Sequence, residues 1–142
     1  MPVRIADAVW NGSLMDGKGQ ISVGSKSFTG AYDWRGRSGD GAGTNPEELL
    51  GAAHAGCFSM ALSHGLAEAG HPPTQVHTTA KVSFDKKGDG FAITRIDLIV
   101  EAKVPGIDDA AFQKAAKGAK ENCPVSKALA ATPITLDAKL IG

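Results

Sequence analysis

The chain carries no excess of charge: 15 basic residues balance 15 acidic ones among 142. It has no basic tail or stripe, which argues against nucleic acid or an anionic membrane as partner. No apolar run is long enough to span a bilayer, because His54 and His64 with neighbouring Glu and Gly interrupt the one candidate. The stretch Met1 to Trp10 lacks an apolar signal-peptide core, with Arg4 and Asp7 breaking it early, so a cytoplasmic protein is expected. Cysteine is scarce as well. Cys57 and Cys123 are the only two, and in that compartment they are expected to rest reduced rather than as a permanent disulfide. Without a Cys-x-x-Cys pair, and with four histidines lacking ligand spacing, a zinc site is not expected. Aromatic residues are few, at 6%, whereas glycine is abundant at 18 residues and supplies turns. The length suits one domain, 1–142, with a real core, and neither a repeat nor a linker divides it.

The most informative stretch runs from Thr44 to Leu62. Asn45 can cap a helix, Pro46 fits its first position, and Glu48 completes an Asn-x-x-Glu capping box. The helix should run to Ala69, where Gly70 suits a left-handed residue and Pro72-Pro73 forbid continuation. From Leu49 to Leu62 it is apolar or small on nearly every side, which predicts burial all round.

Before this helix, residues 3–10, 20–23 and 27–32 read as strands separated by Asn11-Gly12 and Asp16-Gly17-Lys18-Gly19 turns. Trp34 to Gly43 reads as a glycine-rich loop holding Arg35, Arg37 and Asp40. After the helix, Gln75 to Phe84 and Phe91 to Val104 read as strands, the second alternating Ile96, Leu98, Val100, Ala102 and Val104 inward. Asp108 or Asp109 can cap a helix with Ala111, Phe112, Ala115, Ala116 and Ala119 on one stripe. Pro124 opens a further short helix, and Pro133 to Ile141 closes the chain as a strand. The pattern predicts an α+β fold with mainly antiparallel sheets around a long buried central helix.

Either cysteine alone has a bland reading, since free cysteine commonly fills a core as a small hydrophobe. Cys123, just before Pro124 at a helix start, sits where backbone N–H groups stabilise a thiolate. Sequence spacing leaves open whether the two thiols meet. Glu47, Arg35 and Arg37 are the charged groups placed to tune such a site; their bland readings are a first-turn carboxylate and a solvated loop. A cation about 4 Å from a thiolate would contribute up to about 4 kcal/mol, enough to bring a free thiol below neutrality. His54 lies one turn before Cys57, as a Cys–His nucleophilic pair would require, though no third orienting group accompanies it.

The run Thr44-Asn45-Pro46-Glu47-Glu48-Leu49-Leu50-Gly51-Ala52-Ala53-His54-Ala55-Gly56-Cys57-Phe58-Ser59-Met60-Ala61-Leu62 closely resembles the signature of the OsmC/Ohr family of thiol peroxidases. Cys123-Pro124-Val125-Ser126 and Ile134-Thr135-Leu136-Asp137 match its second motif, and the resemblance covers nearly the whole chain. Glu-Glu-Leu, Gly-Ala-Ala-His and Cys-Pro-Val-Ser look like the osmotically inducible protein C branch. The resemblance implies an OsmC-like fold in an intertwined homodimer, and a peroxidase acting on organic hydroperoxides and less efficiently on hydrogen peroxide. It implies Cys57 as the peroxidatic cysteine that becomes a sulfenic acid, and Cys123 as the cysteine that resolves it to a disulfide. It implies Arg37 as the activating arginine, with Arg35 two residues away as the alternative, and Glu47 as its carboxylate partner. It also implies reduction by an external dithiol or dithiol protein, with no flavin, haem or metal cofactor.

Glu47 and Cys57 stand ten residues apart on the expected helix, so about 15 Å of axis separates them. An arginine could hardly bridge that distance within one chain. Two copies crossing antiparallel near Ala52, where Gly51, Ala53, Ala55 and Gly56 are also small, would bring Glu47 of one to Cys57 of the other. Composite sites across a dimer interface are therefore expected. Apolar lining is expected from Leu50, Phe58, Met60 and Phe28. Two rivals stand beside the peroxidase: a Cys–His hydrolase using Cys57 and His54, and a non-catalytic module binding hydrophobic ligands.

Overall fold

A computed structural model describes all 142 residues, as two compact units, Met1–Leu49 and Leu50–Gly142. In the first unit β1 (Ala6–Asn11), β2 (Lys18–Val23) and β3 (Thr29–Tyr32) form an antiparallel meander, with Ala6 opposite Val23 and Gly19 opposite Tyr32. Trp10 and Tyr32 pack with ring centroids 5.2 Å apart, directly over Gly19. Any side chain there would collide with both rings, since a Cβ would lie 2.5 Å from Tyr32 and 2.7 Å from Trp10. The meander buries little. Val3, Ile5, Val9, Leu14 and Met15 are all more than half exposed.

The expected loop from Trp34 to Gly43 opens instead with a short helix, α1 (Trp34–Ser38). The Asp33 carboxylate caps it by accepting the Gly36 N–H at 2.8 Å. Helix α2 (Pro46–Glu68) then begins where the caps predicted, with Asn45 Oδ1 accepting the Glu48 N–H at 2.7 Å. The reciprocal half of the expected capping box is different: the Glu48 carboxylate accepts the Thr44 hydroxyl at 2.8 Å. Gly70, at φ +89°, ends the helical stretch as expected.

In the second unit β4 (Gln75–Lys87) and β5 (Gly90–Lys103) form a long hairpin whose register shifts between Ser83 and Phe84. Strand β6 (Ile134–Leu140) lies along the other edge of β5, and this pair is parallel. The remaining pairs are antiparallel, as expected. The parallel pair arises because the chain returns through α3 (Asp109–Asn122) and α4 (Pro124–Ala128), the crossover that parallel strands require. Ile96, Leu98, Val100, Ala102 and Val104 are all buried, as the alternation predicted. They pack with Phe58, Leu62 and Leu66 of α2 and with Phe112, Ala116 and Ala119 of α3. Each large side chain buried there contributes roughly 1.5–3 kcal/mol. On α3, capped by Asp108, the stripe is narrower than expected, with Ala111 exposed.

The central helix departs from the expectation of burial all round. Gly51, His54, Phe58, Leu62 and Leu66 are buried at helical spacing, whereas Ala52, Ala53, Gly56 and Met60 are exposed. In a single chain one stripe faces the core and the small-residue stripe is uncovered. No helix is long and apolar enough to cross a membrane.

Candidate active site

Cys57 lies beside Phe58, whose full burial with Leu62 and Leu66 fixes the rotation of α2 and leaves the thiol half-buried at the edge of the core. Cys123 closes α3, its N–H bonding the Ala119 carbonyl at 2.9 Å, and is the N-cap of α4, with Pro124 at the first helical position. It is completely buried. The two sulfurs, 66 residues apart in sequence, are hydrogen-bonded at 3.0 Å, and both cysteines are free thiols. A shift of about 1 Å would bring them to disulfide length. The meeting of thiols that spacing left open therefore occurs.

Their acidities differ. Burial pushes the Cys57 thiol up, the hydrogen bond with Cys123 adds to this, and the Val125 N–H only partly offsets it. Burial also pushes Cys123 up. There the hydrogen bond with Cys57, the N–H and hydroxyl of Ser126, and the Val125 N–H outweigh it, leaving Cys123 below the ordinary thiol range. With its pKa raised, a Cys57 thiolate is favoured by a positive group beside it.

Arg37 and Glu47 form the second pair. Nε bonds Oε1 and Nη2 bonds Oε2, each at 3.0 Å, a two-pronged fork that fixes the guanidinium plane. Glu47 is buried at 6% exposure. Arg37 is held by α1, and the chain returns to α2 through Gly43 at φ +99°, where a Cβ would lie 2.6 Å from the Ala31 carbonyl oxygen. Asn45 adds a bond from its side-chain amide to the Gly36 carbonyl at 3.3 Å. Of the two candidate arginines, Arg37 is the one paired with Glu47. Glu47 lies in the first turn of α2 and Cys57 ten residues on in the same helix.

His54 is not paired with Cys57. Its Nε2 lies 2.7 Å from the Ser126 hydroxyl, and both residues are buried. This removes the geometry on which a Cys–His hydrolase depends. Sequence reasoning gave Ser126 no role; the available signal was its place as third residue of a proline-started helix capped by Cys123.

Of the residues expected to give an apolar lining, Phe58 is fully buried in the core, Leu50 and Phe28 are half-buried, and Met60 is 76% exposed. In the first unit a cavity of about 410 Å³ is lined by Trp10, Leu14, Tyr32, Trp34 and Arg37. The aromatic residues reach it from β1, β3 and α1, elements that a strand-by-strand reading does not bring together.

The family model for OsmC-like protein matches residues 39–139. The chain is 52% identical over 134 residues to peroxiredoxin OsmC of Escherichia coli (strain K12), covering 94% of this chain and 93% of that protein. It is 34% identical over 87 residues to the organic hydroperoxide resistance protein OhrB of Bacillus subtilis (strain 168), covering 61% and 62%. Among solved structures, B. subtilis OhrB superposes with a TM-score of 0.69 at 25% identity, covering 96% of this chain and 98% of that one. An OsmC-like protein from Mycoplasma pneumoniae superposes at 0.78 over 99% of both chains, and at 16% identity it bears on the fold alone.

Proposed function

The chain belongs to the OsmC-like protein family, and from that premise we propose that it is a thiol peroxidase of organic hydroperoxides whose redox centre is Cys57 and Cys123. The observation that carries this reading is the 3.0 Å contact between two free thiols, one half-buried and reachable, the other fully buried behind it. Cys57, as thiolate, attacks the terminal oxygen of the hydroperoxide; the O–O bond breaks, the alcohol leaves with a proton, and Cys57 becomes a sulfenic acid. The Cys123 sulfur then attacks the Cys57 sulfur, forming the S–S bond while the S–O bond breaks and water departs. An external dithiol, free or on a protein, returns two electrons and regenerates both thiols. Electrons enter and leave through sulfur, so the cycle requires no flavin, haem or metal. A cytoplasmic setting that keeps thiols reduced suits it.

The organic group fits the aromatic cavity beside Arg37, which supports bulky hydroperoxides over hydrogen peroxide. The finer arrangement is a homodimer. In it, the exposed stripe of Ala52, Ala53 and Gly56 on α2 crosses its copy, and Arg37 and Glu47 of one protomer activate Cys57 of the other. Three observations support this: burial and the contact with Cys123 raise the Cys57 pKa, the α2 stripe is uncovered, and the N-terminal apolar residues are exposed. The single domain over 1–142 belongs to the same reading.

A steady-state assay tests the activity: consumption of cumene hydroperoxide with a dithiol reductant. Cys57→Ser should lose at least a hundredfold, and Cys123→Ser should consume about one equivalent per chain and then turn over slowly. Turnover unaffected by Cys57→Ser would end this reading.

A further inference from the structure

His54 is fully buried, Ser126 is 4% exposed, and the ring Nε2 lies 2.7 Å from the hydroxyl oxygen. The other ring nitrogen, Nδ1, is buried without a hydrogen-bond partner. Burial holds the His54 pKa below its ordinary value, so the ring is neutral and carries one N–H. That hydrogen has two places to sit. On Nδ1 it would be a buried donor with nothing to bond; on Nε2 it donates to Ser126 and leaves only a lone pair unmatched. Orphaned buried donors are the rarer defect, so the hydrogen belongs on Nε2. Ser126 therefore accepts from His54, and its own hydroxyl hydrogen is free to donate onward.

The onward partner is next to it. Cys123 is the N-cap of α4 and Ser126 its third residue, positions whose side chains share one turn. In the reduced protein no side-chain cap hydrogen bond closes there, and the nearby Ser126 hydroxyl and N–H help hold the Cys123 thiol down. The titratable groups facing Cys123 are Cys57 and, through Ser126, His54, both on α2. Among its charged sequence neighbours, Glu121 and Lys127 are exposed and Lys120 is half-buried.

We propose that His54 and Ser126 are a positioning pair for disulfide formation, a buried chain from His54 Nε2–H to Ser126 Oγ–H to Cys123 Sγ that aims and holds the resolving sulfur as a nucleophile. This rests on the peroxidase reading above. In the step concerned, the Cys123 thiolate attacks the sulfur of the Cys57 sulfenic acid; the S–S bond forms and the S–O bond breaks. The departing hydroxide takes up the proton that Cys123 gave up, leaving as water. When a dithiol later attacks the disulfide at Cys57, Cys123 leaves as a thiolate, and the same chain receives it.

The test follows sulfenic acid formation and loss after one equivalent of cumene hydroperoxide, by dimedone trapping across a pH series, in full-length reduced protein. Losing a hydrogen bond to a thiolate raises its pKa by about one unit, a tenfold loss of thiolate at neutral pH. The remaining thiolate is about threefold more nucleophilic, because reactivity rises with basicity at a Brønsted slope near 0.5. Ser126→Ala should therefore form sulfenic acid at the wild-type rate, then close the disulfide about threefold more slowly near neutrality and about threefold faster well above the thiol pKa. His54→Leu, a second route should Ser126→Ala fold poorly, should cross the wild-type profile in the same sense. Ser126→Thr and His54→Gln, which keep a hydroxyl and an N–H donor, should lie near wild type. Ser126→Ala or His54→Leu profiles that superpose on wild type, or fall by one factor at every pH, would overturn the relay alone. A wild type that forms neither sulfenic acid nor disulfide would overturn the peroxidase reading and the relay with it.

Discussion

Cys57 and Cys123 are the same side chain in two settings, one half-buried and one fully buried. Cys57 is half-buried and burial raises its pKa, so its activation should depend on charge. Replacing Arg37 with Gln, which keeps shape and loses the cation, should slow peroxide reduction by about a hundredfold or more, a charge contact of up to about 4 kcal/mol being removed. Stopped-flow measurement of sulfenic acid formation checks this; a loss under threefold would remove Arg37 from the mechanism. His54 gives a stability prediction. Its folded pKa is depressed by burial, so the unfolded chain binds the proton that the native ring refuses. The contribution is complete above the unfolded value of about 6.5 and is lost as pH falls below it, by up to about 1.4 kcal/mol per pH unit. Urea midpoints across this range should show a slope that His54→Gln flattens. At this scale the two pairs in the structure, Cys57 with Cys123 and Arg37 with Glu47, join residues that the motif had singled out. The sequence was silent on Ser126, because a hydrogen bond across 72 positions leaves no local pattern.

Helix α2 shows what a pattern can and cannot say about an element. Its ends were legible, since Asn45, Pro46 and Gly70 act through local backbone chemistry. Its burial was not, because small residues such as Ala52 and Gly56 suit a buried face and an uncovered one equally well. Helix α1 escaped notice for a related reason: Gly36 and Gly39 disguise a turn that the Asp33 cap organises. Asp33→Ala should loosen that turn, cost about 1 kcal/mol in denaturant titration, and weaken activity through Arg37. Gly56 offers a sharper measurement. Nothing lies within 4 Å of a Cβ placed there, and the same holds at Gly65. In an isolated chain either Gly→Ala change should stabilise the helix by about 0.5–1 kcal/mol. If two copies of α2 cross near Ala52, Gly65→Ala keeps that gain while Gly56→Ala weakens the dimer, as analytical ultracentrifugation would show. Equal gains at both positions and an unchanged dimer would place the crossing elsewhere.

For the whole molecule, the α+β class and the inward face of β5 were legible from alternation, whereas the parallel β5–β6 pairing depends on where α3 and α4 return the chain. The composite site is tested by mixing two inactive variants, Cys57→Ser and Arg37→Gln, and letting protomers exchange. If each site takes its cysteine from one protomer and its arginine from the other, mixed dimers hold one intact site and the pool recovers about a quarter of wild-type activity. If both come from one protomer, nothing is recovered. Beneath either outcome lies the claim that the buried thiol pair is a two-electron redox centre. The most direct measurement adds one equivalent of cumene hydroperoxide per reduced chain, counts free thiols and maps the linkage by mass spectrometry. The structure predicts that both thiols disappear together, with loss of two hydrogens and a Cys57–Cys123 bond within one chain. Two thiols surviving the peroxide, or a disulfide joining different chains, would contradict it.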